Sequence, residues 1–351
     1  MIMKNSNVML KNNNISALRG IFTIMIVLHH LGLYDGGGSL GVTFFFILGG
    51  FALSLGYFDK VNSPIFSYTS FIKKRCEKFF PLHWMCLLVV LPLALIPVFR
   101  GGAEFGNVLV PFIPNALLLQ SLIPMREVYF SFNAVSWYLS DTMIFAIVFP
   151  FIVKWLYHIG YKEKIVVFTI IILNWFALAY FLPKEYRHAI LYINPFVRIV
   201  EFIIGIYLYL LYIKFNEKSI SFFLLREKFV DVLIFLMIVI SILISCVASK
   251  YTRMISAIYW FPLCILLILS VLNNRGGKLK SLLVWFGEIS LPIFLIHQVV
   301  IRYVQAICSF IRIENLYVEV IISIPLIIIA SWLCDKYFLR PLSLWLKERK
   351  K

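Results

Sequence analysis

Long apolar runs joined by short polar or basic connections fill almost the whole chain. They fall at about 15–33, 39–57, 80–98, 136–157, 165–182, 191–213, 230–248, 254–272, 283–304 and 317–339. Each approaches the roughly 20 residues that an α-helix needs to cross a bilayer. Barrel strands would alternate over about ten residues, and no such alternation is seen. The pattern therefore predicts an all-α, polytopic helical membrane protein with about ten transmembrane helices. A further run, 109–123, is shorter and is interrupted by Pro111, Pro114 and Asn115. No repeat and no soluble module long enough to fold alone stands out, so residues 1–351 read as one membrane domain.

Composition agrees with the pattern and narrows the function classes. The chain is 62% hydrophobic and 14% charged, with a mean hydropathy of +0.91. A soluble globular protein is excluded. The net charge of +16 reads as topogenic Lys and Arg with attraction to anionic lipid, not as nucleic-acid binding. The first apolar run is long, holds His29 and His30 and lacks a small-residue cleavage site, so no cleavable signal is expected. The six cysteines have no CxxC spacing and read as small core residues. No HExxH or other metal-ligand spacing occurs, so no metal is expected.

Charge also predicts orientation. If 109–123 does not cross, the basic clusters alternate by the positive-inside rule. Lys4 and Lys11, then Lys60 and Lys73–Lys78, then Lys154, Lys162 and Lys164 fall on one side. Lys214, Lys218, Arg226 and Lys228, then Arg275, Lys278 and Lys280, and the tail Lys347–Lys351 join them. Both termini are then cytoplasmic, and 109–123 is re-entrant or interfacial.

Ionisable groups inside membrane segments are functional candidates. Arg19 and His30 lie on the first run. Eleven residues at 100° make about three turns plus roughly 20°, which puts both on one helix face about 16 Å apart. Gly36-Gly37-Gly38 reads as a tight hairpin turn. Counting depth along alternating helices places Asp141 and His297 near the level of His30, with Arg198 and Glu201 close to mid-depth. Each has a plainer reading: an interhelical hydrogen-bonder for the histidines, and a buried i, i+3 ion pair for Arg198 and Glu201. The basic loop Lys73-Lys74-Arg75-Cys76-Glu77-Lys78 is either topogenic or a landing site for phosphates of a cytoplasmic donor.

These residues also carry a resemblance. Arg19 and His30 match the Arg-x10-His motif of the acyltransferase-3 family. Gly41 to Phe51 resembles its Gly-Val-x-x-Phe-Phe-x-Leu-Ser-Gly-Phe motif, with Gly49 in place of Ser. Lys74-Arg75-Cys76-Glu77-Lys78-Phe79-Phe80-Pro81 resembles its basic motif. Arg198 to Gly205 resembles Arg-x-x-Glu-Phe-x-x-Gly, and Gly287 to His297 resembles Gly-x-x-Ser-x-x-x-Tyr-x-x-His. The Trp-Ser-Leu-Ser-x-Glu motif departs: Thr142 stands at the Glu position and Asp141 one residue earlier.

The resemblance implies a membrane enzyme moving an acyl group, usually acetyl, onto surface carbohydrate. Acetyl-CoA is the donor substrate and no cofactor is bound; the partners are a glycan acceptor, the lipid bilayer and polysaccharide assembly machinery in the cell membrane. A succinyl donor is an alternative. In this reading His30 is the base, Arg19 a phosphate or oxyanion contact, and His297 or Asp141 an orienting or relay group. Lys74, Arg75 and Lys78 hold phosphates of CoA, with Arg198 and Glu201 also assigned to substrate binding. The rival class is a glycan or metabolite transporter, which the absence of inverted repeats and of paired interrupted helices disfavours.

Overall fold

The structure, a computed structural model, describes residues 13–217, 227–251, 255–272, 278–313 and 315–349. Helices cover all ten apolar runs. They are α1 (Asn13–His30), α2 (Gly37–Val61), α3 (Tyr68–Phe99), a short α4 (Gly106–Ala116), α5 (Trp137–His158), α6 (Tyr161–Phe181), α7 (Pro195–Glu217), α8 (Glu227–Tyr251), α9 (Ile255–Leu272), α10 (Lys278–Glu288), α11 (Ser290–Phe310), α12 (Leu316–Cys334) and α13 (Arg340–Glu348). Among the described residues, seven helical stretches are long and apolar enough to cross a membrane: α2, α3, α5, α6, α7, α11 and the stretch from α12 through α13. The described apolar parts of α8 and α9 are shorter. The protein is thus a multi-pass helical membrane protein. Lys4, Lys11, Lys218, Arg226, Arg275, Lys350 and Lys351, on which much of the predicted orientation rests, lie outside the described residues.

Helix α1, which is not among these seven stretches, is the more polar because most of it is buried inside the bundle. It packs against α2, α9, α10 and α11, burying Leu18, Phe22, Met25 and Ile26. Its end is set by Gly32, at φ +73°. Leu33 N–H donates to the Leu28 carbonyl and Gly32 N–H to the His29 carbonyl, a Schellman stop that needs a left-handed residue at Gly32. The chain therefore reverses through residues 31–36, and Gly37 and Gly38 already belong to α2. The expected triple-glycine turn is corrected accordingly: Gly36 has an ordinary φ of −81°.

Two glycine contacts bring helix backbones together. At the α2–α7 crossing, a Cβ on Gly50 would run into the Phe202 carbonyl oxygen, and one on Gly205 into that of Ile47. At the α1–α10 crossing, a Cβ on Gly287 would strike the Ser16 carbonyl. Helices α10 and α11 run on through Ile289, whose amide bonds the Trp285 carbonyl and whose carbonyl accepts from Ile293. The pair thus acts as one long helix beside α1. A contrast follows. Gly50→Ala should lower the apparent melting temperature in detergent by several degrees, since overpacking costs about 1–3 kcal/mol. Gly49→Ala should leave it nearly unchanged, because its Cβ would meet only the Phe202 ring at 3.7 Å.

Helix α3 has 32 residues, about 48 Å of rise, which exceeds a hydrocarbon core of about 30 Å. Lys73–Lys78 form its early turns and not a loop, a correction to the sequence reading. The 109–123 segment gives only the 11-residue α4, followed by a 3₁₀ turn at Gln120–Leu122. About 16 Å of helix is too short to cross. It is clamped to α3 by polar bonds: His83 Nε2 donates to the Asn115 carbonyl at 2.7 Å and Trp84 Nε1 to that of Ala116 at 2.8 Å.

Candidate active site

His30 occupies the last turn of α1, and His297 the second turn of α11. His297 Nε2 lies 3.3 Å from His30 Nδ1, with ring centroids 5.0 Å apart. Backbone carbonyls settle the tautomers, because a carbonyl only accepts. His297 Nδ1 is 3.0 Å from the Ile293 carbonyl, so Nδ1 carries the proton and neutral His297 presents a lone pair at Nε2. His30 Nδ1 is 2.9 Å from the Ile26 carbonyl and is likewise the protonated nitrogen. Its N–H is shared between that carbonyl and His297. The lone pair of neutral His30 is therefore at Nε2, which has no hydrogen-bond partner among the described residues. His297 is fully buried, and His30 is half-buried. His29 turns away to the Tyr34 carbonyl, 3.2 Å from its Nδ1, and fastens the 31–36 turn.

One face of α1 also carries Arg19, whose Nη2 donates to Ser290 Oγ at 2.7 Å. Arg19 and His30 thus both contact α11. Arg19 lines a cavity of about 400 Å³ shared with Arg75 and Lys78 of α3, Tyr138 and Thr142 of α5, and Ser290. Its floor is aromatic, with Phe46 stacked on Tyr138 at 4.8 Å. No acidic side chain lines it among the described residues. Arg75 is held over Tyr57 and Phe71, 5.3 and 5.2 Å from their centroids. Three cations with no carboxylate between them make this an anion-attracting pocket.

The remaining candidates fall elsewhere. The two histidines do not line the cavity; Phe294, which does, has its ring 6.1 Å from His297. Lys74 is exposed and outside the lining. Asp141 is fully buried, with the Ser121 side chain beside its carboxyl. It makes no described contact with either histidine, and the cavity receives its neighbours Tyr138 and Thr142 instead. Arg198 and Glu201 pair at 2.8 Å at 1% and 2% side-chain exposure, with Trp260 Nε1 donating to the same Glu201 oxygen at 3.3 Å. They lie behind Phe46, whose ring centroid is 4.9 Å from the Arg198 guanidinium carbon. The pair braces α7 and does not reach the cavity. Its removal is therefore expected to act on stability. Glu201→Gln alone should destabilise by roughly 3–5 kcal/mol, because it strands a buried cation, whereas Arg198→Met with Glu201→Gln should recover much of that loss. Thermal unfolding in detergent, read beside the KM for donor, checks this: a raised KM with unchanged melting would place the pair in the site.

Tyr138 and Ser290 are two lining residues that the sequence alone does not single out as site residues. Ser290 was visible only as a motif position, and Tyr138 only as the residue before Leu139-Ser140.

A helical membrane protein with an anion-attracting cavity and a histidine pair fits group transfer from an anionic donor. The chain belongs to the acyltransferase 3 family, described as an acyltransferase domain, whose pattern matches residues 12–336; it is a membrane acyltransferase. It is also similar to acyltransferase MdmB of Streptomyces mycarofaciens, 27% identical over 291 residues that make up 76% of this chain and 69% of that protein. No solved structure gives a significant match.

Proposed function

We propose that the protein is an O-acetyltransferase of the cell membrane, moving acetyl from cytoplasmic acetyl-CoA to a hydroxyl of a surface polysaccharide or its lipid-linked precursor. The observation that carries this reading is the His30–His297 pair, with His30 about 16 Å along α1 from Arg19, set beside a cavity lined by Arg19, Arg75, Lys78 and Phe294. In this account the cations receive the phosphates of CoA, and the donor arm runs past Phe294 toward His30. His30 Nε2 takes the acceptor hydroxyl proton while the alkoxide oxygen attacks the thioester carbon. The C–O ester bond forms, the C–S bond breaks, and the proton passes from His30 to the departing thiolate. His297 and the Ile26 carbonyl hold the Nδ1 proton, so the imidazolium that forms keeps both acceptors. Arg19, with several charge-assisted donors, suits a phosphate or the oxyanion.

The test is direct. Purified protein in detergent or liposomes, supplied with acetyl-CoA labelled in the acetyl group, should release label slowly to water and pass it to glycan hydroxyls when glycan is present. Glycan movement across liposomes with no consumption of acetyl-CoA would overturn the reading in favour of a transporter.

A further inference from the structure

A second cavity, of about 380 Å³, lies between α6, α7 and α9 and takes no part in the chemistry above. Its walls are apolar, with Phe168, Ile204 and Leu208 among them. Its polar end is built from Lys164, Lys214 and Tyr161. Lys214 Nζ sits 3.7 Å above the Tyr161 ring, and Tyr207 Oη donates to the Lys164 carbonyl at 2.9 Å. Neither lysine has a carboxylate partner among the described residues, and the neighbouring Glu163 folds back over Gly160.

The opposite end is marked by Ile204 and Cys264. These lie one helical turn beyond Glu201 and Trp260, which are hydrogen-bonded to each other. From Ile204 to Lys214 the α7 axis rises about 15 Å. Helix α6 is turned outward, with only 11% of its apolar stretch buried, so the groove faces the surroundings of the bundle. An apolar channel along a lipid-facing helix, closed at one end by two cations with no carboxylate partner among the described residues, matches an acyl chain capped by a phosphate.

We infer that this groove is a binding site for an anionic phospholipid, with one acyl chain along α7 and the headgroup phosphate on Lys164 and Lys214. Arginine or lysine beside an anionic headgroup contributes about fivefold each, so the pair should favour an anionic over a zwitterionic lipid by about 30-fold.

The full chain in detergent tests this by native mass spectrometry. Phosphatidylglycerol should stay bound in preference to phosphatidylcholine with the same chains. The preference should vanish in Lys164→Gln/Lys214→Gln, and retention should fall in Cys264→Trp, whose ring fills the apolar end. In unaltered protein, phosphatidylglycerol should slow alkylation of Cys264 by N-cyclohexylmaleimide more than phosphatidylcholine does, a readout that needs no variant to fold. Equal protection by the two lipids, or a preference that survives loss of both lysines, would overturn the assignment. So would displacement of phosphatidylglycerol by millimolar glycerol 3-phosphate, which would mark a site for free phosphate.

Discussion

His30→Ala is expected to lower acetyl transfer by about 10²–10⁴-fold, the usual range for loss of a positioned general base, while the protein still purifies as a folded bundle. The expectation follows from hydrogen-bond accounting. His30 Nδ1 is committed to the Ile26 carbonyl and to His297, so Nε2 alone remains to take a proton. His30 is half-buried in the last turn of α1, and its truncation removes one interhelical hydrogen bond, to His297, while the glycine crossings that hold the helices together stay in place. His297→Ala should be milder, because the Ile26 carbonyl still holds the His30 tautomer when its second acceptor is gone. The order of effects is the informative part. Single-turnover rates with acetyl-CoA and glycan should rank wild type, His297→Ala, then His30→Ala, with melting temperature changed little in the last. A His30→Ala enzyme that keeps a rate within tenfold of wild type would remove the base from the mechanism.

Much of this site was legible in sequence, and the rest was hidden for a geometric reason. The eleven-residue step from Arg19 to His30 fixes their common face through helical periodicity alone. Counting depth along two helices set His297 level with His30, and the structure hydrogen-bonds them. Rotation of one helix against another has no such internal ruler. On α5, Asp141 and Thr142 differ by 100°, and nothing in the run Trp137–Thr142 says which looks into the cavity. The packing of Tyr138 on Phe46 and Phe294 turns Thr142 inward and leaves Asp141 buried on another side. Arg198 and Glu201 pose the same difficulty. Their i, i+3 pairing was readable, yet their position behind Phe46 depends on the Gly50–Gly205 approach of α2 and α7. The Lys73–Lys78 cluster reads as a loop in sequence because its charges resemble a connection. Its helical form follows from the Ser67 cap, whose side chain accepts from the Ser70 amide, and this sets Arg75 and Lys78 three residues apart on one face.

That spacing leads to the second large effect. Arg75→Ala and Lys78→Ala should each raise the KM for acetyl-CoA severalfold or more, and the double variant should lose most activity at ordinary donor concentrations. A charge-assisted hydrogen bond is worth roughly 1.5–3 kcal/mol, which corresponds to about 10- to 150-fold in affinity per lost contact if water does not replace it. Lys74→Ala serves as the control, since Lys74 lies outside the cavity lining. A donor without phosphates separates the possible causes. S-Acetylpantetheine presents the same thioester with no anionic end, so wild type and the Arg75→Ala and Lys78→Ala variants should use it with similar, low efficiency. A general collapse of the cavity would impair both donors alike, because Arg75 also covers Tyr57 and Phe71. Loss confined to acetyl-CoA would place the phosphates between α1 and α3. Equal loss with both donors would assign the two cations to packing and leave Arg19 as the remaining cation of the cavity able to meet the donor.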